Sequence, residues 1–274
     1  MKIELYKYQS IYFAIKSTIL LIVILLFSCN EPIEKPIVPS QNIEQDINIP
    51  VKIETQTGLD SSKLNINFKP KENYTALLHK IKTDRLYFKS LYQTNPTKAI
   101  DSASTYLYKN LIDKIVPHWY GTQWDFNGYT NKPNDGLIAC GYFVSTTLKH
   151  LGFNLNRYKM AQQAGLIEAR MLQPKTELKI YSNLTFAALE TKVNSIYSDG
   201  VYFVGLDNHV GYVLIKDKTL YFLHSSYCDD KVVIELAETS ACFRSNIYVF
   251  AEISTNKKLV TNWIQNSALI VPSN

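Results

Sequence analysis

The sequence predicts an α+β domain in which helices come first and an antiparallel sheet follows. Three observations predict it. Apolar residues recur at helical spacing between residues 72 and 115 and again from Cys140 to Ile196. After Asp199-Gly200 the period falls to that of strands, in short runs rich in β-branched and aromatic side chains. Helices and strands are segregated along the chain instead of alternating, which defines the α+β class.

The 274-residue chain opens with a leader. Lys2, Lys7 and Lys16 precede an unbroken apolar run from Ile19 to Phe27, followed by Ser28-Cys29-Asn30. A basic segment, a short apolar segment and a small residue before the cut describe a secretory signal peptide over residues 1–28. The run is shorter than the ~20 apolar residues a bilayer core requires. The competing reading, an uncleaved signal anchor, needs the span counted back to Ile11 across Lys16. Leu26-Phe27-Ser28-Cys29 resembles a bacterial lipobox. The resemblance implies cleavage before Cys29, its lipidation, and an exported protein lipid-anchored to a membrane of a bacterial cell envelope. Each buried acyl CH₂ contributes ~0.8 kcal/mol to such an anchor.

Residues 29–70 contain Pro32, Pro36, Pro39 and Pro50 among polar residues, without a sustained period, and read as a flexible tether. The folded domain is expected over 71–274. Leu77, Leu78, Ile81 and Leu86 mark a first helix, and Ala99, Ala103, Tyr106, Leu107, Leu111 and Ile115 a second. Asn95-Pro96-Thr97 suits the start of the second helix and Pro117 its end. We treat these helices as an N-terminal extension of the same domain. The aromatic stretch 118–136, dense in turn signals, is long for a loop, and such loops are often functional. A third helix starts at Cys140 and stops at Gly152. A fourth is expected from Met160 to Leu172 and a fifth from Thr185 to Ile196. Strands follow at 201–206, 210–215, 220–224, 231–236 and 246–253. Lys216-Asp217-Lys218 turns the second and third of them into a hairpin.

Charge and cysteine content narrow the function. Removing the leader leaves 26 basic and 23 acidic side chains, a net charge of +3 with no basic run, which argues against nucleic-acid binding. No glycine-rich phosphate loop or Gly-x-Ser-x-Gly elbow is present, and no cofactor is implied. Of four cysteines, Cys29 is assigned to lipid. Cys228 and Cys242, close in sequence, either form a disulfide or remain two buried thiols. Cys140 is then the odd thiol in an oxidising compartment, and catalysis is one reason to keep it.

A catalytic thiol needs a lowered pKa, a base, and a group that orients the base. Cys140 at a helix N-terminus lies where the macrodipole and free N–H groups favour a thiolate. His209 opens one strand of the hairpin and His224 ends the other, so the turn brings them within reach. His79 and His150 fall on helices, where solvent-facing or packing roles are expected. Zinc held by Cys140, His209 and His224 is an alternative, but C-x-x-C and H-x₃-H spacings are absent and no metal is assigned.

Cys at the head of a helix, a strand opening His209-Val210-Gly211, and a strand ending His224-Ser225-Ser226 together resemble the papain-like NlpC family of cell-wall cysteine peptidases. The resemblance covers residues 117–227. It implies a papain-like fold, Cys140 as nucleophile, His209 as base, His224 as orienting residue, and peptidoglycan stem peptides as substrate. The family's aromatic stretch before the cysteine compares with Trp119 to Gly128, which implies Tyr120 as a tyrosine near the thiol. Trp119, Trp124 and Asp125 become substrate-groove candidates, with core packing as the other reading of Trp119, Trp124 and Phe126. The family usually reads Asp-Cys-Ser-Gly where this chain has Ala139-Cys140-Gly141-Tyr142. Two rival functions use the same residues: a non-catalytic envelope lipoprotein whose groove binds wall peptide or a partner protein, and an acyltransferase or amidase acting on another substrate.

Overall fold

The computed structural model describes Leu64 and residues 68–272. The leader, Cys29 and residues 29–63 and 65–67 of the tether lie outside the described residues. Among the described residues no helix is long and apolar enough to cross a membrane.

Helix α1 (Tyr74–Thr94) begins where the Asn73 side chain accepts the Ala76 N–H. Asn95 serves two helices: its N–H donates to the Leu91 carbonyl, and its Oδ1 accepts from the Lys98 N–H at the start of α2 (Pro96–Asn110). Pro96 occupies the first turn of α2, where a missing N–H removes no helical bond. One residue thus folds α1 back on α2.

Pro117 does not end the second helix as the sequence predicts. A π-helical segment, Leu111–Ile115, intervenes, and helix α3 (Val116–Trp119) carries the proline in its first turn. The Val116 N–H reaches back to the Leu111 carbonyl. This wider turn loosens the ladder at the point where a proline ring would clash with the preceding turn. The chain therefore remains helical up to Trp119.

Residues 120–139 are irregular but tied down. The buried Arg157 guanidinium donates to the Tyr129 carbonyl at 2.7 Å and to Thr146 Oγ1 at 2.8 Å, clamping this stretch to the next helix. That helix, α4 (Cys140–His150), ends before Gly152, whose φ of 98° lies where glycine is favoured. Strand β1 (Asn154–Leu155) follows. The single helix expected from Met160 to Leu172 is two, α5 (Arg157–Ala161) and α6 (Gly165–Leu172). Ala164 between them is extended, and Gly165 lies backbone to backbone on Gly205 of the sheet; a Cβ on Gly165 would sit 2.8 Å from the Gly205 Cα. A continuous helix would not make that approach.

Strand β2 (Lys179–Ser182), absent from the sequence reading, precedes α7 (Phe186–Ile196), which Thr185 caps. Strands β3 (Gly200–Gly205), β4 (Val210–Lys216), β5 (Thr219–Ser226), β6 (Lys231–Leu236) and β7 (Ile247–Glu252) complete the main sheet. Its order is β2-β7-β3-β4-β5-β6 and every neighbouring pair is antiparallel. Asp217 and Lys218 both take positive φ in the two-residue β4–β5 turn, which matches the strand twist. Helix α8 (Lys257–Gln265) and strand β8 (Ala268–Leu269), parallel to β1, were likewise not foreseen.

The sheet is covered on both faces. Val210, Tyr212 and Leu214 of β4 join the core built with Phe143, Val144 and Leu148 of α4 and with α1, α2 and α8. Val213 and Ile215, pointing the other way, join Leu189 and Val193 of α7. The Tyr212 hydroxyl, wholly buried, donates to the Val144 carbonyl at 3.0 Å and lies 2.8 Å from Thr147 Oγ1. It pins α4, and therefore Cys140 one turn earlier, on β4.

Trp119 is core and not groove: it is fully buried, its Nε1–H donates to Tyr74 Oη at 2.6 Å, and its ring packs on Phe143. Trp119→Ala is therefore expected to lower unfolding stability by ~3–5 kcal/mol in urea titrations, because it empties a buried indole site. Trp124→Ala, at a half-buried position, is expected to lower it by at most about 1 kcal/mol.

Candidate active site

Cys140 is the first residue of α4. Ala139 before it is extended and offers no capping side chain, so the N–H groups of the first turn stay open. The approach to Cys140 is fixed from β5: Ser225 Oγ donates to the Ile138 carbonyl at 2.7 Å, and the Ala139 N–H donates to the Gly128 carbonyl at 2.8 Å. Cys140 lines a cleft of about 530 Å³ with His209, Val210, Gly165 and Glu168. Burial pushes the thiol pKa up, and Glu168 adds to this; the Val210 and Gly141 N–H groups, aimed at the sulfur, only partly oppose it. Loss of hydration thus works against the lowered thiol pKa that the helix N-terminus suggests.

His209 Nε2 lies 2.8 Å from His224 Nδ1, and His224 Nε2 lies 3.0 Å from Glu235 Oε1. Ser240 Oγ donates to the same carboxylate oxygen at 2.6 Å. Burial alone would raise the Glu235 pKa, but the hydrogen bonds from His224 and Ser240 bring it below the usual value. Burial lowers both histidines, His209 to about 3 with His224 as a second cause. Both imidazoles are neutral at neutral pH, and the hydrogen-bond network assigns their tautomers. The Glu235 carboxylate accepts from His224 Nε2–H. His224 Nδ1 is then a lone pair and accepts from His209 Nε2–H. His209 Nδ1 is left as a lone pair, and it is buried without a hydrogen-bond partner among the described residues. The chain of bonds ends in a buried lone pair of His209, a residue that lines the cleft with Cys140.

Packing holds this arrangement. The His224 ring stacks on Phe222 with centroids 3.9 Å apart and meets His209 edge-on at 4.9 Å. Gly211 supplies the room: a Cβ there would fall 2.7 Å from the Phe222 ring and 2.9 Å from His224 Cβ.

Cys140, His209 and His224, singled out in the sequence, are thus brought together. The other candidates scatter. Tyr120 is not among the residues lining the cleft; it stacks on Phe68 at 4.3 Å because the chain leaves α3 there, with Gly121 bonded to Val232 of β6. Asp125 holds its own turn by accepting the Asn127 N–H. Trp124 stands behind Tyr227, at 6.2 Å between centroids, and Tyr227 in turn meets His209 edge-on at 5.0 Å. Cys228 and Cys242 are joined by a disulfide with Cα atoms 6.2 Å apart. His150 packs in the core region, 2.8 Å from Tyr74 Oη.

Glu235, Ser240 and Glu168 were missed. Glu235 pairs with Phe222 across β5 and β6 and so lies diagonal to His224. The available signal was an acid closing the apolar run Val232-Val233-Ile234, but without the register it could not be matched to His224. Glu168 is fully buried, with one carboxyl oxygen unpartnered and its pKa well raised by burial. No protein-family model, curated protein or solved structure matches this chain.

The thiol's surroundings make a direct prediction. Iodoacetamide alkylation of Cys140, followed by peptide mass, is expected to rise with a midpoint above the ordinary thiol value of ~8.5, because only the thiolate reacts. A midpoint below 7 would contradict a thiol resting neutral beside a neutral imidazole.

Proposed function

We propose that this chain is a cysteine hydrolase that cleaves amide bonds, with Cys140 as nucleophile and His209 as base. The observation that carries this reading is the directed bond sequence Ser240, Glu235, His224, His209, which ends in an unpartnered imidazole nitrogen of a residue that lines one cleft with Cys140. The papain-like arrangement implied by the NlpC resemblance has the same order of helix-first cysteine and strand histidine. Peptidoglycan stem peptides are the substrate that resemblance favours. An exported protein held by lipid at Cys29 would meet them in the envelope.

In this reading the resting pair is thiol and neutral imidazole. As the sulfur attacks the amide carbonyl, His209 Nδ1 takes the thiol proton. The new imidazolium is stabilised through His224 by the Glu235 carboxylate, and the backbone N–H groups at the start of α4 face the developing oxyanion. Collapse of the tetrahedral intermediate breaks the C–N bond; His209 gives its proton to the leaving amine and a Cys140 thioester remains. Water then attacks the thioester while His209 accepts its proton, and that proton returns to the departing Cys140 sulfur.

The groove-only reading is favoured by the burial of the Cys140 thiol, which pushes its pKa up. Assays of the full chain on soluble stem peptides separate the two. Cleavage is expected in the wild type and lost in Cys140→Ala, and His209→Ala and Glu235→Gln are each expected to lower kcat/KM by ~10²- to 10⁴-fold. Protonation removes the base, so the acid limb of kcat/KM is expected near the His209 value of about 3 and not near 6.5. Stem peptide bound but uncut by the wild type, or cleavage unchanged in Cys140→Ala, sinks the hydrolase.

A further inference from the structure

His209 borders a second cavity, of about 430 Å³, together with Asp207, Tyr227, Cys242 and Arg244. Cys242 is buried there at 1 % exposure, whereas its disulfide partner Cys228 is exposed. Ligand atoms of His209, His224 and Cys242 lie within 4.8 Å of one another. In the disulfide the Cys242 sulfur is no thiolate, and the two imidazoles bond to each other.

The geometry points to a redox-gated metal site: reduction of the Cys228–Cys242 disulfide frees a Cys242 thiolate that binds a zinc-class divalent cation together with His209 and His224. The donor set, two imidazoles and a thiolate, is of the kind zinc takes, with the fourth position open to water from the cavity or to the Cys228 sulfur. His209 Nε2 and His224 Nδ1 are 2.8 Å apart. Two zinc–nitrogen bonds of ~2.0–2.1 Å in a tetrahedron place such atoms about 3.3 Å apart, so the site forms by a separation of about half an ångström. An outer partner is already in place, because His224 turns its other nitrogen to Glu235, the arrangement that orients metal-bound histidines.

The chemistry balances with a dithiol as reductant. Its thiolate attacks the exposed Cys228 sulfur, and the S–S bonding pair leaves on Cys242. The second thiol of the reductant displaces the mixed disulfide, leaving Cys228 as a thiol and the reductant as a disulfide. The cation replaces the Cys242 thiol proton, which is released, and the His209 Nε2 proton, which is relocated to Nδ1. With Nδ1 protonated, His209 cannot accept a proton from Cys140, so metal would switch the base off. That last consequence rests on the proposed hydrolase, whereas the metal site does not, and the test reads metal instead of activity.

Full-length protein is reduced with a phosphine, desalted without oxygen, and titrated with zinc; cobalt(II) in place of zinc reports a thiolate ligand by its charge-transfer band. The oxidised chain is expected to bind no zinc at this site and the reduced chain one equivalent. Cys228→Ser, which leaves Cys242 a free thiol, is expected to bind one equivalent without reductant, and Cys242→Ser none in either state. Both variants lack the disulfide and keep Cys29 and Cys140, so their difference isolates Cys242 as the ligand. Reduced wild type that takes up no zinc, or Cys242→Ser taking up as much as Cys228→Ser, overturns the site.

Discussion

Burying an imidazole forfeits its hydration, and the loss is recovered only if the ring nitrogens find partners. His224 is fully buried, and both of its nitrogens are paired, one with Glu235 and one with His209. Much of the site's organisation follows from that requirement. Glu235 must face inward from β6, Ser240 must return after the strand to hold its carboxylate, and Gly211 must lack a side chain so that the His224 ring and Phe222 can stack. Because each bond fixes the direction of the next, His209 Nδ1 is left as a lone pair without a hydrogen-bond partner among the described residues.

The second constraint is mechanical. In the proposed hydrolase, a helix with the nucleophile on its first residue is useful only if that residue is held against the strand bearing the base. Tyr212 does this from beneath, through the Val144 carbonyl and the Thr147 hydroxyl, while Ser225 holds the carbonyl of Ile138 just ahead of the helix. Both anchors come from the β4–β5 hairpin that also carries His209 and His224. Cys140 and His209 are therefore positioned by one packed unit, as the proposed nucleophile and base would require. Burial in the same surroundings raises the thiol and lowers both histidines, leaving the Glu235 carboxylate as the charged member of the network.

Where the structure departs from the sequence reading, a specific contact is responsible. Pro117 would end an ordinary α-helix, but the π-turn ahead of it changes which carbonyl the ring approaches. The Met160–Leu172 period is continuous on paper, yet the Gly165–Gly205 backbone contact requires an extended residue at Ala164. Trp119 and Trp124 lie five residues apart in one aromatic stretch; the first fills the core beside Tyr74 and the second faces Tyr227, because the turn at Gly121, with φ of 81°, comes between them. Tyr120 falls on the far side of that division, against Phe68.

What the sequence determined by itself was local: the α+β class with its antiparallel strands, the capping at Asn95, the helix that starts at Cys140 and stops at Gly152, and the hairpin that brings His209 toward His224. Each rests on spacing, capping or turn chemistry within some fifteen residues, where neighbours in sequence are neighbours in space. Tertiary structure decided the rest. Glu235 reaches His224 only through the β5–β6 register, Cys242 reaches the histidines only because the segment after β6 folds back, and the thiol is raised because packing buries it beside Glu168. Register, return paths and dielectric are properties of the packed chain, and none of them is written in the order of its residues.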